Sequence, residues 1–370
     1  MFSIKNFPAT RLVLKAVLSM VAIALLSLPA TAQIGDIGND SPLFTVTNLT
    51  SDIPNVGNNN DTDLVNPWGL VASPSSPWWV SDNATGLSTL YDGAGVKQGL
   101  VVTIPAWNAP TGGAPDGIVF NSTSDFKING NSTHFLFATE DGTLQGWSGG
   151  TSAVIAVNNW PVAVYKGLAL ASAGGANYLY VANFRGGTVD VFDANFAPHS
   201  FGPNAFVDPT VPSAYSPFNV ANINGNIVVT YALPDDQRHD DVAGAGHGYV
   251  RMFDSQGSLL MDFRHVFELN SPWAVALAPS SGFGSLSGKL LIGQFGSGAI
   301  VAYDPKNGRF LGPLLDTSAL PIRINGLWGL GVGNGAKSGP TDTLYFTAGY
   351  FDEAHGLFGT ISLAKSGKGK

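Results

Sequence analysis

A loop at residues 234–248 holds the densest set of polar side chains in the chain. It contains four aspartates and two histidines: Asp235, Asp236, His239, Asp240, Asp241 and His247. Carboxylates and imidazoles bind cations and can also transfer protons. Their spacing matches no established metal-binding motif, and aspartates and glycines are equally typical of loops in which carboxylates cap backbone N–H groups. The sequence therefore leaves three uses open for this loop: structure, cation binding and acid–base catalysis.

A second polar loop, residues 350–356, contains Asp352, Glu353 and His355. Together the two loops supply three candidate general bases, which are His239, His247 and His355. They also supply six candidate metal ligands, which are Asp235, Asp236, Asp240, Asp241, Asp352 and Glu353. The alternative is that both loops are simply solvated.

Six copies of a degenerate repeat supply the elements that position these loops. Each copy opens with a short apolar strand: Pro67-Trp68-Gly69-Leu70, Pro115-Asp116-Gly117-Ile118, Tyr165-Lys166-Gly167-Leu168, Pro217-Phe218-Asn219-Val220, Pro272-Trp273-Ala274-Val275 and Leu327-Trp328-Gly329-Leu330. The copies recur about every 45 to 60 residues, which is the length of one four-stranded blade. The sequence therefore predicts an all-β fold, a six-bladed β-propeller of antiparallel blades. Seven blades is the alternative count.

The predicted blades span about residues 67–105, 115–158, 166–208, 217–265, 272–316 and 327–363. The outer strand of blade 3 is predicted near Phe206 and Val207. The last blade lacks an outer strand, and the apolar stretch 43–49 has no partner beside it. We therefore expect residues 43–49 to complete blade 6 and close the ring, which removes an exposed sheet edge. The propeller would be one domain, residues 33–364, followed by a flexible basic tail at 365–370.

The ends of the second strands are predicted to line the channel. These positions hold Asp82, Thr139, Asn183, Tyr231, Gln294 and Ala348. Such a ring would hold either a central ion, with Glu140 as a neighbouring ligand, or ordered water in a wet channel. Four of these positions and two further residues of the same face are the candidate binding residues: Asp82, Asn83, Trp107, Asn183, Tyr231 and Gln294.

Three tryptophans, Trp68, Trp273 and Trp328, occupy the same position of the repeat. This recurrence predicts rings wedged between neighbouring blades, with ligand stacking as the alternative. Trp107 does not recur, and it could stack on a sugar or a peptide.

Composition excludes several classes of function. The chain has no cysteine, which excludes disulfides, thiolate zinc sites and a cysteine nucleophile. Its formal net charge is −8 at pH 7, and an acidic surface disfavours nucleic acid as a partner.

Residues 1–32 resemble a signal peptide, with basic residues before an apolar run and Ala30-Thr31-Ala32 at the cleavage site. A retained membrane anchor is the alternative. We expect a secreted or periplasmic monomer with no stable membrane span after signal removal.

Several motifs resemble those of exported, uncharacterised bacterial six-bladed propellers associated with PEP-CTERM systems. They are Asn66-Pro67-Trp68-Gly69-Leu70, Trp79-Val80-Ser81-Asp82-Asn83, residues 179–184, Tyr231 through His239-Asp240-Asp241-Val242-Ala243-Gly244, and residues 325–330. More broadly, the chain is similar to NHL-repeat and SMP-30-like propellers. This resemblance implies the fold and export and carries no activity; the related lactonases hold calcium at the channel. The sorting signal itself is not matched at Leu363-Ala364-Lys365.

Two functions are compatible with these observations. The first is a binding or interaction module whose channel face takes a carbohydrate, a peptide or an envelope protein. The second is a calcium-dependent hydrolase or lyase of the SMP-30 or lactonase type, in which a cation polarises a carbonyl group and a histidine acts as base.

Overall fold

The structure, a computed structural model, describes residues 41–365. The predicted signal peptide, residues 1–32, and all of the predicted tail after Lys365 lie outside the described residues. Between residues 41 and 365 the regular elements are β-strands and one 3₁₀ turn, Gly284–Leu286. In this part of the chain no helix reaches the length and apolarity that crossing a bilayer requires.

Six antiparallel sheets of four strands form the predicted six-bladed propeller, so the fold class is confirmed. Blades 1 to 3 consist of Pro67–Val71, Trp78–Asp82, Leu87–Tyr91 and Lys97–Thr103; Pro115–Phe120, Phe135–Thr139, Thr143–Trp147 and Val154–Asn158; and Tyr165–Ala173, Ala176–Asn183, Thr188–Phe192 and Pro198–His199. Blades 4 to 6 consist of Ser216–Ile223, Asn226–Ala232, Tyr249–Phe253 and Leu259–Asp262; Pro272–Leu277, Leu290–Gln294, Ile300–Tyr303 and Phe310–Pro313; and Leu327–Val332, Leu344–Tyr350, His355–Leu363 and Leu43–Ser51. Short pairs add Asn59–Asn60, Pro105–Ala106, Ala109–Gly112, Lys127–Ile128, Asn131–Ser132 and Leu315–Asp316.

The N-terminal strand closes the ring as predicted. Leu43–Ser51 lies antiparallel to His355–Leu363, with Val46 opposite Ile361, and forms the outer strand of blade 6. Its first two residues also pair with Leu315–Asp316, which follow blade 5. The first strands of consecutive blades contact one another around the whole ring, including blade 6 against blade 1.

The outer strand of blade 3 differs from the prediction. It is Pro198–His199, which pairs with Val191 and Phe192, and not the segment near Phe206 and Val207. Phe206 is buried instead between blades 3 and 4, with its ring 5.6 Å from that of Tyr180. The apolar residues that suggested a strand belong to a loop that fills the core between two blades.

The core is divided among the interfaces between blades. Each pair of neighbouring blades encloses its own cluster of buried apolar side chains. Between blades 1 and 2, the ring of Trp79 stacks 4.1 Å from that of Phe135, and between blades 6 and 1 Trp78 lies 5.1 Å from Tyr345. A seventh cluster lies on the propeller axis. Burial of apolar surface in these clusters drives folding, at roughly 25 cal/mol for each Å² removed from water.

The loops between blades and the loops after the second strands lie on the same side of the ring, because Pro67 at the start of blade 1 pairs with Asp82 at the end of its second strand. We call this side the loop face. It carries both polar loops identified in the sequence.

Candidate functional site

The second residue of every repeat copy lies at a β-bulge of the first strand. In each blade the pairing register shifts at this point, so that the first strand carries one more residue than its partner. Bulges re-aim side chains, and here they bring the second residues together at the axis. These residues are Trp68, Asp116, Lys166, Phe218, Trp273 and Trp328. The following residue is often glycine because the strands approach closely: a Cβ on Gly69 would lie 2.5 Å from the Asp116 carbonyl oxygen.

Blades 4, 5, 6 and 1 contribute the aromatic sector, defined as Phe218, Trp273, Trp328 and Trp68. The rings of Trp68 and Trp328 stack 3.3 Å apart, and Trp273 lies 5.6 Å from Trp68 edge-on. Phe218 reaches to within 6.3 Å of Trp68, although their blades are not neighbours. The tryptophans therefore meet at the axis and are not wedged between neighbouring blades as the repeat suggested. Their role in packing is as expected.

Blades 2 and 3 place charged residues at the same position. Asp116 is fully buried and Lys166 is 1% exposed. The Lys166 ammonium group lies 4.8 Å from the ring centre of Trp68, in cation–π range, and 4.0 Å from Asp116 Oδ2. Two of six equivalent positions thus hold a buried ion pair where the others hold aromatic rings.

Residues from the ends of the second strands of blades 1 and 2 complete the pair. Glu140 accepts a hydrogen bond from Lys166 through Oε1 and one from Asn83 through Oε2, the latter at 3.0 Å. Asn83 also donates to Asp116 Oδ1 at 2.7 Å. Asn83 therefore holds both carboxylates in place around the ammonium group.

The loop at 234–248 adds His239 and Asp240 to this cluster. Asp235 Oδ1 accepts the backbone N–H of His239 at 2.8 Å, which fixes the turn. Arg238 donates to the carbonyl of Arg185 at 2.8 Å, which ties the loop to blade 3. His239 Nδ1 then lies 2.8 Å from Asp240 Oδ1, which is 4.0 Å from Lys166 Nζ. Glu140, His239 and Asp240 each present a ligand atom within 4.8 Å of the other two.

Glu353 comes from the loop of blade 6, and its charge interacts with those of Glu140, Lys166, Asp240 and Asp241. It is the last of three consecutive residues in the left-handed region, after Phe351 and Asp352, with φ of 65°. Such conformations are costly for residues other than glycine and cluster at functional sites. We call Asp116, Lys166, Glu140, Asn83, His239, Asp240, Asp241 and Glu353 the charged sector.

Burial and mutual repulsion set the protonation of this sector. Burial raises the pKa of Asp116 well above its usual range, and the charge of Glu140 adds to this effect. Burial also raises the pKa of Asp241. Burial, and next the charge of Glu140, raises the pKa of Glu353 to about 7. The hydrogen bond to Asp240 raises the pKa of His239 and lowers that of Asp240. For Lys166 burial lowers the pKa, but Glu140 and Asp116 outweigh it and keep the pKa above the ordinary value.

Four buried polar atoms at this junction have no hydrogen-bond partner among residues 41–365. They are Asp116 Oδ2, Asp241 Oδ2, Trp68 Nε1 and Trp273 Nε1. In contrast, Trp328 Nε1 donates to Asn66 Oδ1 at 3.0 Å. Leaving buried donors and acceptors unpaired is costly, so these atoms require partners from outside the chain, such as water molecules.

Most of the predicted strand-end ring does not assemble. The side chains bond within or beside their own blades: Asp82 accepts from Thr89, Asn183 donates to Asp190, Thr139 bonds Asp141 and Thr143, and Gln294 accepts from the backbone of Asn270. Tyr231 packs in the core between blades 3 and 4, as does Ala348 between blades 5 and 6. Of the predicted binding residues, Asn83 alone lies in the charged sector. The bulged first strands occupy the axis, which leaves the second strands one layer out.

The remaining loop candidates are dispersed. His247 Nδ1 lies 3.0 Å from the Val242 carbonyl oxygen, within its own loop, and His355 Nδ1 lies 2.7 Å from Asp52 Oδ2 at the ring closure. Asp235 caps its turn, and Asp236 and Asp352 are exposed. The structure therefore unites His239, Asp240, Asp241 and Glu353 and leaves the other candidate bases and ligands outside the charged sector.

Asp116 and Lys166 were not identified from the sequence as site residues. The signal was present, because a position that is aromatic in four repeat copies is charged in the other two. Trp107, a predicted binding residue, lies elsewhere on the loop face. Its ring stacks on that of Trp160 at 4.8 Å, and its backbone N–H donates to Asp141 Oδ2 at 2.7 Å.

Two proteins of Acanthamoeba polyphaga mimivirus are similar to this chain along most of its length. Uncharacterized protein R648 is 33% identical over 328 residues, covering 85% of this chain and 78% of its own. Uncharacterized protein L690 is 33% identical over 316 residues, covering 81% of each. The chain belongs to the family of these mimivirus proteins. No protein-family model matches it. Kinship with the bacterial PEP-CTERM-associated propellers stays a prediction.

Solved six-bladed propellers share the fold of this family. A glucose dehydrogenase matches with a TM-score of 0.53 and 14% identity, over 87% of this chain and 100% of its own. The soluble aldose sugar dehydrogenase of Escherichia coli matches with a TM-score of 0.52 and 11% identity, over the same shares. A virginiamycin B lyase of Staphylococcus aureus has a TM-score of 0.50 and 12% identity, over 87% and 99%. At these identities the likeness extends to the fold alone.

Proposed function

We propose that this protein is a binding propeller that takes a positively charged ligand at the charged sector of its loop face. The observation that carries the proposal is the excess of carboxyl groups at one junction, which extends from the fully buried Asp116 to Asp240, whose side chain is 70% exposed. Asp116, Glu140, Asp240, Asp241 and Glu353 face two basic side chains, Lys166 and His239. Burying like charges together is unfavourable, and nothing in the packing of a propeller requires it at this position.

The raised pKa values describe how the protein tolerates this excess. The upward shifts of Asp116, Asp241 and Glu353 mean that these carboxyl groups retain protons at higher pH than usual. A bound cation would supply the positive charge instead, and protons would leave. Binding should therefore release protons and become tighter as the pH rises through the pKa of Glu353, about 7.

The aromatic sector beside these carboxylates limits where a ligand cation can lie. The ring of Trp68 already holds a cation, the Lys166 ammonium group at 4.8 Å, so a ligand cation would be held by the carboxyl groups. The Nε1 atoms of Trp68 and Trp273 are unpaired donors that are buried at the axis, and an acceptor would reach them only if the surrounding side chains moved apart. Among the predicted partner classes, a peptide supplies the cation through a basic side chain.

Titration calorimetry with Nα-acetyl-lysine methylamide tests the proposal, with the norleucine derivative, which keeps the four side-chain carbons and lacks the ammonium group, as control ligand. We expect the lysine compound to bind, with protons released to the buffer and higher affinity at pH 8 than at pH 6. Asp241→Asn should weaken binding, while His247→Gln, outside the charged sector, should not. Equal heats for the two compounds would refute a cation site.

The second candidate is the metal-dependent hydrolase or lyase, favoured by the grouping of Glu140, His239 and Asp240. Their donors fit a divalent cation, although the imidazole suits Mn²⁺ or Zn²⁺ better than calcium. Lys166 competes for Glu140 and would have to shift. When bound, a cation would polarise a substrate carbonyl group.

Metal analysis separates the two candidates. The metalloenzyme predicts one Mn²⁺ or Zn²⁺ per chain, a higher melting temperature with metal than after chelation, and loss of that difference in Glu140→Gln. Lactones and esters would then be the first substrates to screen. If the lysine compound binds without metal and metal does not change the melting temperature, the metalloenzyme is refuted and the binding propeller remains.

A further inference from the structure

The loop face exposes an unusual number of large apolar side chains. They are Trp160, Val162, Val242, Phe267, Leu320 and Phe351, which are between 40% and 77% exposed. All six lie in loops that join two blades or follow a second strand. Two loop side chains of the same exposed class lie elsewhere: Val96 is in a hairpin turn of the opposite face, and Val207 follows Phe206, whose backbone N–H donates to Gly257 in another such turn. Exposed apolar surface concentrated on one side of a protein marks an interaction surface.

These side chains adjoin the charged sector along the chain. Phe351 is two residues from Glu353, and its loop is held in the left-handed conformation described above. Val242 follows Asp241 directly, and its carbonyl oxygen is fixed by His247. The apolar residues thus flank two of the carboxyl groups from different loops.

A third flank adjoins Glu140. Trp107 is bound through its backbone N–H to Asp141, the neighbour of Glu140, and stacks on Trp160. Trp160 is 43% exposed, and Val162, two residues on, is 71% exposed. Apolar side chains of three loops are therefore neighbours, along the chain or through one hydrogen bond, of residues in one acidic cluster.

We infer that the loop face docks a polypeptide segment in which a lysine or arginine is flanked by apolar residues. The basic group would lie on the charged sector, and the flanking side chains would contact Phe351, Val242 and the Trp107–Trp160 pair. This rests on the proposed function and identifies its ligand class.

The arrangement of charge and apolar surface favours a chain over a small amine. A free diamine would satisfy the carboxylates but leave apolar side chains on three loops uncovered. An extended segment carries side chains on both sides of its basic residue and can reach several loops at once.

Three acetylated, amidated peptides test this inference by calorimetry: Gly-Lys-Gly, Leu-Lys-Leu and Leu-Gln-Leu in the same backbone. We expect Leu-Lys-Leu to bind at least tenfold more tightly than Gly-Lys-Gly, and Leu-Gln-Leu to bind weakly. Trp160→Ser and Phe351→Ser should reduce that preference and leave Gly-Lys-Gly binding unchanged. Leu259→Ser, which removes an equally exposed apolar side chain from the rim of blade 4, is the matched control.

The outcomes separate the two proposals. Equal affinity for Gly-Lys-Gly and Leu-Lys-Leu would overturn the apolar docking surface and leave the cation site standing. Loss of binding for both lysine peptides would overturn the cation site as well. Phosphatidylethanolamine vesicles serve as the membrane probe: tight vesicle binding that depends on Trp160 and Phe351, with no preference for Leu-Lys-Leu, would replace the polypeptide with a lipid surface.

Discussion

The aromatic sector and the charged sector occupy equivalent positions of one repeat, yet they solve different physical problems. In the aromatic sector Trp68 and Trp328 stack and seal the axis with apolar surface. In the charged sector Lys166 and Asp116 occupy the equivalent bulged positions of their blades. Their buried charges are compensated by hydrogen bonds, from Asn83 to Asp116 and from Lys166 to Glu140. Four blades therefore stabilise the ring at its centre, while two blades give up part of that stability. Proteins accept such local cost where a site must present charge.

The largest expected change in stability comes from removing a ring from the aromatic sector. Trp328→Ala deletes a fully buried side chain that stacks on Trp68 and Phe295, so we expect a loss of about 3–5 kcal/mol in the free energy of unfolding. The loss should be nearly independent of pH, because no titrating group is touched. Urea denaturation at pH 6 and pH 8 measures it. Trp160→Ala, an exposed tryptophan, should change stability by less than about 0.5 kcal/mol.

Removing the cation of the charged sector should cost somewhat less and depend on pH. Lys166→Met leaves Glu140 and Asp116 without their buried partner, which we expect to cost about 3 kcal/mol at pH 8. The cost should shrink at lower pH, where the carboxyl groups take up protons. Adding Glu140→Gln to Lys166→Met should recover part of the loss. A cost that stays constant with pH would make Lys166 a packing residue like the tryptophans.

The smallest expected effect on the free energy of unfolding concerns Glu353. Its replacement should stabilise the protein, whereas the two preceding changes should destabilise it. Folding raises the pKa of Glu353 from 4.5 to about 7, so the folded protein retains a proton that the unfolded chain has lost in this window. The free energy of unfolding therefore decreases as the pH rises from 4.5 to 7. Glu353→Gln should stabilise the protein by roughly 2 kcal/mol at pH 8 and hardly at all at pH 4. Melting curves at both pH values test this, with Asp352→Asn as the matched loop control; equal shifts at both would contradict it.

The fold could be predicted from the sequence because the sequence pattern of one blade recurs six times. The recurring Pro-Trp-Gly-Leu type of opening gave the blade count, and the unpaired apolar stretch at 43–49 indicated the ring closure. The prediction of the outer strand of blade 3 was wrong because apolar residues show the same pattern in a strand as in a loop that fills the core. Phe206 belongs to the second class.

The site was less accessible because its geometry depends on bulges. Asp82 and Gln294 were predicted to line the channel because they end second strands, but the bulged first strands occupy that space. The sequence did identify Asn83, His239, Asp240, Asp241 and Glu353 as candidates. It did not reveal that Asp116 and Lys166 meet them, because contacts between blades depend on how the ring closes and not on local pattern.

The closure of blade 6 also sets an order on synthesis. Leu43–Ser51 is synthesised before the five complete blades that follow it in the chain, and its partner His355–Leu363 is synthesised after them. Until then blade 6 has no finished sheet, and a nascent chain must wait with open strand edges, which are prone to aggregation. Pairings so distant in sequence form slowly, since a long loop must close before any contact is gained. The ring can therefore close only after residues 355–363 have been synthesised, and a chain truncated before residue 355 would keep blade 6 open.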